Sequence, residues 1–199
     1  MGLFTFRIIL NKIHHLKNLV EEKIMATQMF KTKNPTSMEI REQVVELLNA
    51  RLADSIDLHY QSKQAHWNIK GDDFYQLHLL FDQVAEATEE YIDMIAERIT
   101  QLGGTANGTV RDSAKNSTLS EYPHGIYDAD SHIEALSNAL STFATQIKQN
   151  ADDTDELNDM GTNDMLIEIM RGVDKYLWFV EAHNQVEGKG KSIKMKAAN

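Results

Sequence analysis

The chain has 199 residues, 42% of them hydrophobic, enough for one domain with an ample core and additional tails. It contains no cysteine, which excludes disulfides and thiolate chemistry and leaves the redox compartment unmarked. The net charge of −10 is uneven: residues 1–37 carry six Lys/Arg and two acids, residues 188–199 four lysines and no acid, and the remaining ten basic and twenty-eight acidic residues put 38–187 at net −18.

Residues 1–24 place Ile9, Ile13, Leu16, Val20 and Ile24 at helical spacing among lysines, the pattern of a short amphipathic helix. Met25 would also serve as a start, so this segment reads as an upstream extension, a helix packed on the rest of the protein, or a weak membrane-surface helix, the first two preferred. Its apolar stretch is short, broken by Arg7, and lacks a cleavage site of small residues, so no secretory signal is expected. The polar "MATQMFKTKNPTS" that follows reads as a linker or arm.

Four long helices are predicted next. The first runs from about Ser37, its N-cap, to Trp67, with Ile40, Val44, Leu47, Leu48, Leu52 and Ile56 as its apolar stripe. "NIKGDD" breaks it at Gly71, and the second runs from about Asp73 to Leu102, stopped by Gly103 and Gly104. Residues 105–127, rich in Gly, Ser, Thr and Asn, form a long crossover with one helical turn expected near Leu119–Tyr122. The third helix runs from about Asp128 to Asn150, an acidic corner follows, and the fourth runs from about Thr162 to Val186. No strand-like alternation competes. The predicted class is all-α, a ferritin-like four-helix bundle with its long connection between the second and third helices. Residues 38–187 form that domain, 1–37 an N-terminal arm, and 188–199 a flexible lysine-rich tail. No stretch of eighteen uncharged apolar residues occurs, so no membrane span or membrane partner is expected.

The polar residues inside the second helix carry the chemistry. His78 and Asp82 are four residues apart and share a face, as do Asp93 and Glu97. Either pair alone is as well read as a half-exposed polar stripe. The pairs are centred about 22 Å apart along a helix, so one chain's two pairs cannot hold one metal ion. An antiparallel copy of the helix would bring Asp93 and Glu97 of one subunit against His78 and Asp82 of the other, with His66 completing two equivalent sites. The Glu-x-x-His repeat of an intra-chain di-iron site is absent. Its one instance, Glu121–His124, contains Pro123 and lies in the crossover.

"KQAHWNIKG", "LHLLFDQ", "YIDMIAERITQLGG" and "DKYLWFVEAH" together closely resemble the Dps miniferritins, the DNA-binding proteins from starved cells, over residues 38–186. The resemblance implies a hollow homododecamer in the prokaryotic cytoplasm or nucleoid. It implies a ferroxidase centre of His66, His78 and Asp82 from one subunit with Asp93 and Glu97 from its two-fold partner. Fe(II) would be bound there, oxidised preferentially by hydrogen peroxide, and stored as ferric mineral, with other divalent metals as competitors. Glu97 is the candidate bridging ligand. Trp67 is either an aromatic at the subunit contact or an electron donor beside the site.

The acids after residue 151 read either as a solvated turn suited to a helix N-terminus or as a cation funnel. In the family this segment lines a three-fold pore, and Asp155, Asp159 and Asp164 are the candidates here. Lys189, Lys191, Lys194 and Lys196 read as a solubilising end or as contacts to DNA phosphates. Twelve such tails would present about 48 positive charges, although the acidic domain opposes the attraction. Two functions are therefore carried forward: a Dps-type ferroxidase and iron store, and a DNA-binding nucleoid protein whose iron chemistry is secondary.

Overall fold

Ser37 starts the first helix as its spacing predicts, its hydroxyl accepting from the Ile40 N–H. The computed structural model describes residues 28–185, and within them five helices and no strand. These are α1 (Met38–Asn68), α2 (Phe74–Gln101), α3 (Val110–Asn116), α4 (Ala129–Glu156) and α5 (Met160–Glu181). α1 packs chiefly on α2 and α4 on α5, while α1–α4 and α2–α5 contacts close the bundle. Leu48, Leu52, Phe81, Leu136, Phe143 and Leu166 are among the residues filling its interior.

The predicted bundle is present, with differences at its ends and in the crossover. The short crossover helix lies at Val110–Asn116, capped by Thr109, and not at Leu119–Tyr122. The reason is local. Thr109 supplies an N-cap, whereas Asp54 on α1 holds Thr118 in non-helical backbone by accepting from its N–H at 2.6 Å. α4 continues to Glu156, six residues beyond the expected end. "ADDTDE" is acidic enough to read as a turn, yet Ala151 and Thr154 extend the buried face of Ile147 by further helical turns. The chain reverses at Asn158, whose φ of 56° is a left-handed conformation that Asn tolerates. α5 begins at Met160 and ends at Glu181, two residues before the expected start and five before the expected end.

Two buried polar groups were not legible as such in the sequence. Arg51 pairs with Asp54 at 2.8 Å inside α1, and its other nitrogen donates to Gln146 and Asn150 on α4. This network joins α1, α4 and the crossover. The arm before α1 is also tied down. Phe30 N–H donates to Gly103 O at 2.6 Å, and Arg41 donates to Leu102 O at 2.8 Å. Gly103 has a φ of 88°, and a Cβ there would lie 2.7 Å from Phe30 O, so the corner requires glycine on both counts. The expected amphipathic segment 1–24 and the lysine tail lie outside the described residues.

Candidate metal centre

The five-residue turn between α1 and α2 sets His66, on the last turn of the first helix, beside His78, on the first turns of the second. Their rings stack at 3.7 Å with planes 19° apart. His66 Nδ1 donates to the backbone carbonyl of His78 at 2.7 Å, and His78 Nδ1 donates to that of His66 at 2.9 Å. A carbonyl only accepts, so each Nδ1 must carry the proton. In the neutral ring this leaves each Nε2 with its lone pair, the form in which imidazole binds a metal ion. The reciprocal bonds also fix both ring planes. This donor set fits a divalent iron, zinc or manganese ion.

Asp82 stands one turn beyond His78. Its Oδ1 lies 2.5 Å from Lys63 Nζ and 3.8 Å from His66 Nδ1. The Lys63 hydrogen bond holds the Asp82 carboxyl below the usual carboxylate range, with the nearby histidines adding to the effect, so it is a firm anion at neutral pH. Lys63 was missed in the sequence. Its signal was available, because it sits three residues before His66 and so shares that face of α1. Trp67 is 60% exposed, its ring 5.9 Å from Lys63 Nζ, so it faces outward and does not cover its own chain's histidines.

Asp93 and Glu97 are exposed on the far half of α2. At 3.6 residues per turn, His78, Asp82, Asp93 and Glu97 fall within a sector of roughly 100°. The opposite face of α2 carries Leu77, Phe81, Val84, Ile95 and Ile99 into the core. The chain thus presents one stripe with two chemically different ends. Among the described residues, no three His, Asp or Glu side chains of a single chain converge on a metal position.

The profile of the ferritin-like domain family matches residues 45–187. The DNA protection during starvation protein of Agrobacterium fabrum is 41% identical over 155 residues, covering 78% of this chain and 96% of its own length. The chain belongs to the Dps branch of the ferritin-like family. Solved Dps structures agree with that placement. DpsC from Streptomyces coelicolor superposes with a TM-score of 0.75 at 36% identity, covering 78% of this chain and 91% of its own. Dps from Microbacterium arborescens, in a high-iron form, gives 0.71 at 31% identity, covering 77% and 98%.

The three candidate pore acids of this Dps chain are not equivalent. Asp155, on the last turn of α4, and Asp164, on α5, are exposed. Asp159 is 4% exposed and is the N-cap of α5. Its Oδ1 lies 2.8 Å from Arg98 Nη2 and its Oδ2 accepts from the Thr162 hydroxyl at 2.5 Å. Asp159 is thus engaged within its own chain, unlike the exposed Asp155 and Asp164. The D-x-x-T spacing from Asp159 to Thr162 was a capping signal in the sequence. The candidate DNA contacts Lys189, Lys191, Lys194 and Lys196 lie outside the described residues. No described helix is long and apolar enough to cross a membrane.

Proposed function

We propose that this chain is a Dps-type ferroxidase and iron store, working as a hollow homododecamer whose metal centres lie between two-fold-related subunits. The observation that carries the reading is the division of the α2 stripe. At one end His78 and Asp82 stand beside His66 of α1, the two rings held through Nδ1 by their reciprocal bonds so that Nε2 of each neutral ring can bind metal. The other end holds two exposed carboxylates, Asp93 and Glu97. Each end is half a coordination shell, and an antiparallel second copy supplies the other half. The high-iron form of the Microbacterium relative supports iron as the substrate.

The residues then divide the work. His66 and His78 hold Fe(II) through Nε2. Asp82, freed from Lys63 by the incoming cation, and the partner subunit's Asp93 and Glu97 supply negative charge, which favours the ferric product. Glu97, with two oxygens, is the candidate to bridge two irons. Two Fe(II) each give one electron, and the O–O bond of hydrogen peroxide takes both and breaks. Two protons complete two waters, so no single-electron cleavage releases hydroxyl radical. Asp155 and Asp164 draw Fe(II) toward the interior. Replacing both Asp93→Asn and Glu97→Gln tests the assignment by stopped-flow absorbance. Iron oxidation falls to the protein-free rate if the reading holds, and a parental rate in that variant overturns it.

A second reading is favoured by the name of the Agrobacterium relative, a DNA protection protein, and by the four tail lysines. In it the tails bind DNA phosphates. Removing residues 188–199 then abolishes a salt-sensitive gel shift and leaves iron oxidation intact.

A further inference from the structure

The two carboxylates Asp93 and Glu97 are exposed, yet the helix that carries them is fastened to α5 at two points that flank them. Tyr91 and Arg98 are seven residues apart, two helical turns, and so share a face of α2. That face lies roughly 130° around the helix from the Asp93–Glu97 face. Tyr91 is 9% exposed and lies against α5 at Gly172, where any Cβ would overlap the tyrosine hydroxyl. Arg98 makes the second attachment. Its Nη2 meets Asp159 at 2.8 Å and its Nε donates to the Thr162 hydroxyl at 2.9 Å. A Cβ at Gly161 would lie 3.0 Å from that guanidinium, so glycine there leaves Arg98 room to cross. Asp159 is held in turn by the α5 N-terminus that it caps.

Apart from these attachments, α2 and α5 touch far less than either does with its hairpin partner. Packing on α1 sets the course of α2, and these attachments are what fasten its carboxylate half to α5. We propose that Tyr91–Gly172 and Arg98–Asp159–Thr162 form a bracket that positions Asp93 and Glu97 for metal binding across the subunit contact. Arg98, Asp159, Thr162, Tyr91 and Gly172 are positioning residues, since none contacts the metal. The bracket also ties the metal centre to the first turn of α5, beside the exposed acids of the corner. This inference rests on the inter-subunit centre proposed above.

Three variants test it, with Co(II) alone as the probe on the assembled full-length protein. Asp159→Asn keeps an N-capping side chain but removes the charge paired with Arg98. Gly172→Ala displaces Tyr91. Arg98→Lys keeps the charge and loses the Thr162 bond. Asp159→Asn and Gly172→Ala are expected to raise the Co(II) Kd about tenfold, with changed Co(II) absorption and unchanged assembly size, and Arg98→Lys to fall between them and the parent. A merely structural role would lower the Tm and leave the Kd and spectrum alone, which overturns the proposal. Should Gly172→Ala fail to fold, Asp159→Asn decides. The Asp93→Asn, Glu97→Gln variant separates the two levels. If it loses Co(II) while the bracket variants bind as the parent, only the bracket falls; if it binds Co(II) as the parent does, the centre itself is wrong.

Discussion

His132 is wholly buried near the start of α4, with Nδ1 2.7 Å from the Tyr122 hydroxyl. Burial pulls its pKa below the ordinary histidine range, against a smaller opposing pull from Asp128. An unfolded histidine titrates near about 6.5. Below that pH the unfolded chain binds a proton the folded chain refuses, so the stabilisation is full above about 6.5 and is lost as pH falls toward the folded pKa. Urea midpoints measured from pH 7.5 down to 5 are expected to decline, and His132→Gln is expected to flatten that decline. Single residues also show what a sequence displays and what it hides. The five proposed ligands stand out because each is a polar group at helical spacing in an apolar context. The true setting of Asp159 depends on Arg98, sixty-one residues earlier in the chain. Likewise the Arg51–Asp54 pair makes sense only beside Gln146 and Asn150. No local pattern reports such partners.

The helices themselves were legible, because their apolar residues recur with the helical period. Their ends were less so, since an end depends on which neighbour accepts the exposed N–H or C=O groups. The crossover shows this best. Ser113 donates to Ala53 O, Ser117 to Asp57 and Thr118 N–H to Asp54, so α1 dictates the path of the crossover. Asp54→Ala leaves the buried Arg51 charge without its partner and frees the crossover. It is expected to cost about 3–5 kcal/mol by chemical unfolding. A cost below about 1 kcal/mol would show that the network is not needed. Gly104→Ala, whose Cβ would lie 2.5 Å from Val45, is expected to lose about 1–3 kcal/mol through strain at the α2 corner.

At the scale of the whole molecule, the proposed centre needs two copies of the chain, since each offers only half of it. Light scattering is expected to give the mass of twelve chains. Charge bears on what the assembly attracts. The domain is strongly acidic and the ends are basic, so the body attracts cations and the ends attract anions. The fold was visible in the sequence, and so was the geometric ground for proposing paired subunits: two polar pairs too far apart on one helix to share an ion. The most direct test of the inter-subunit centre is anaerobic loading of the assembled protein with Fe(II), then addition of hydrogen peroxide with ferric absorbance and radical trapping followed together. The account predicts fast oxidation consuming about one peroxide per two Fe(II), without trapped radical. Oxidation at the protein-free rate, with hydroxyl radical trapped, would contradict it.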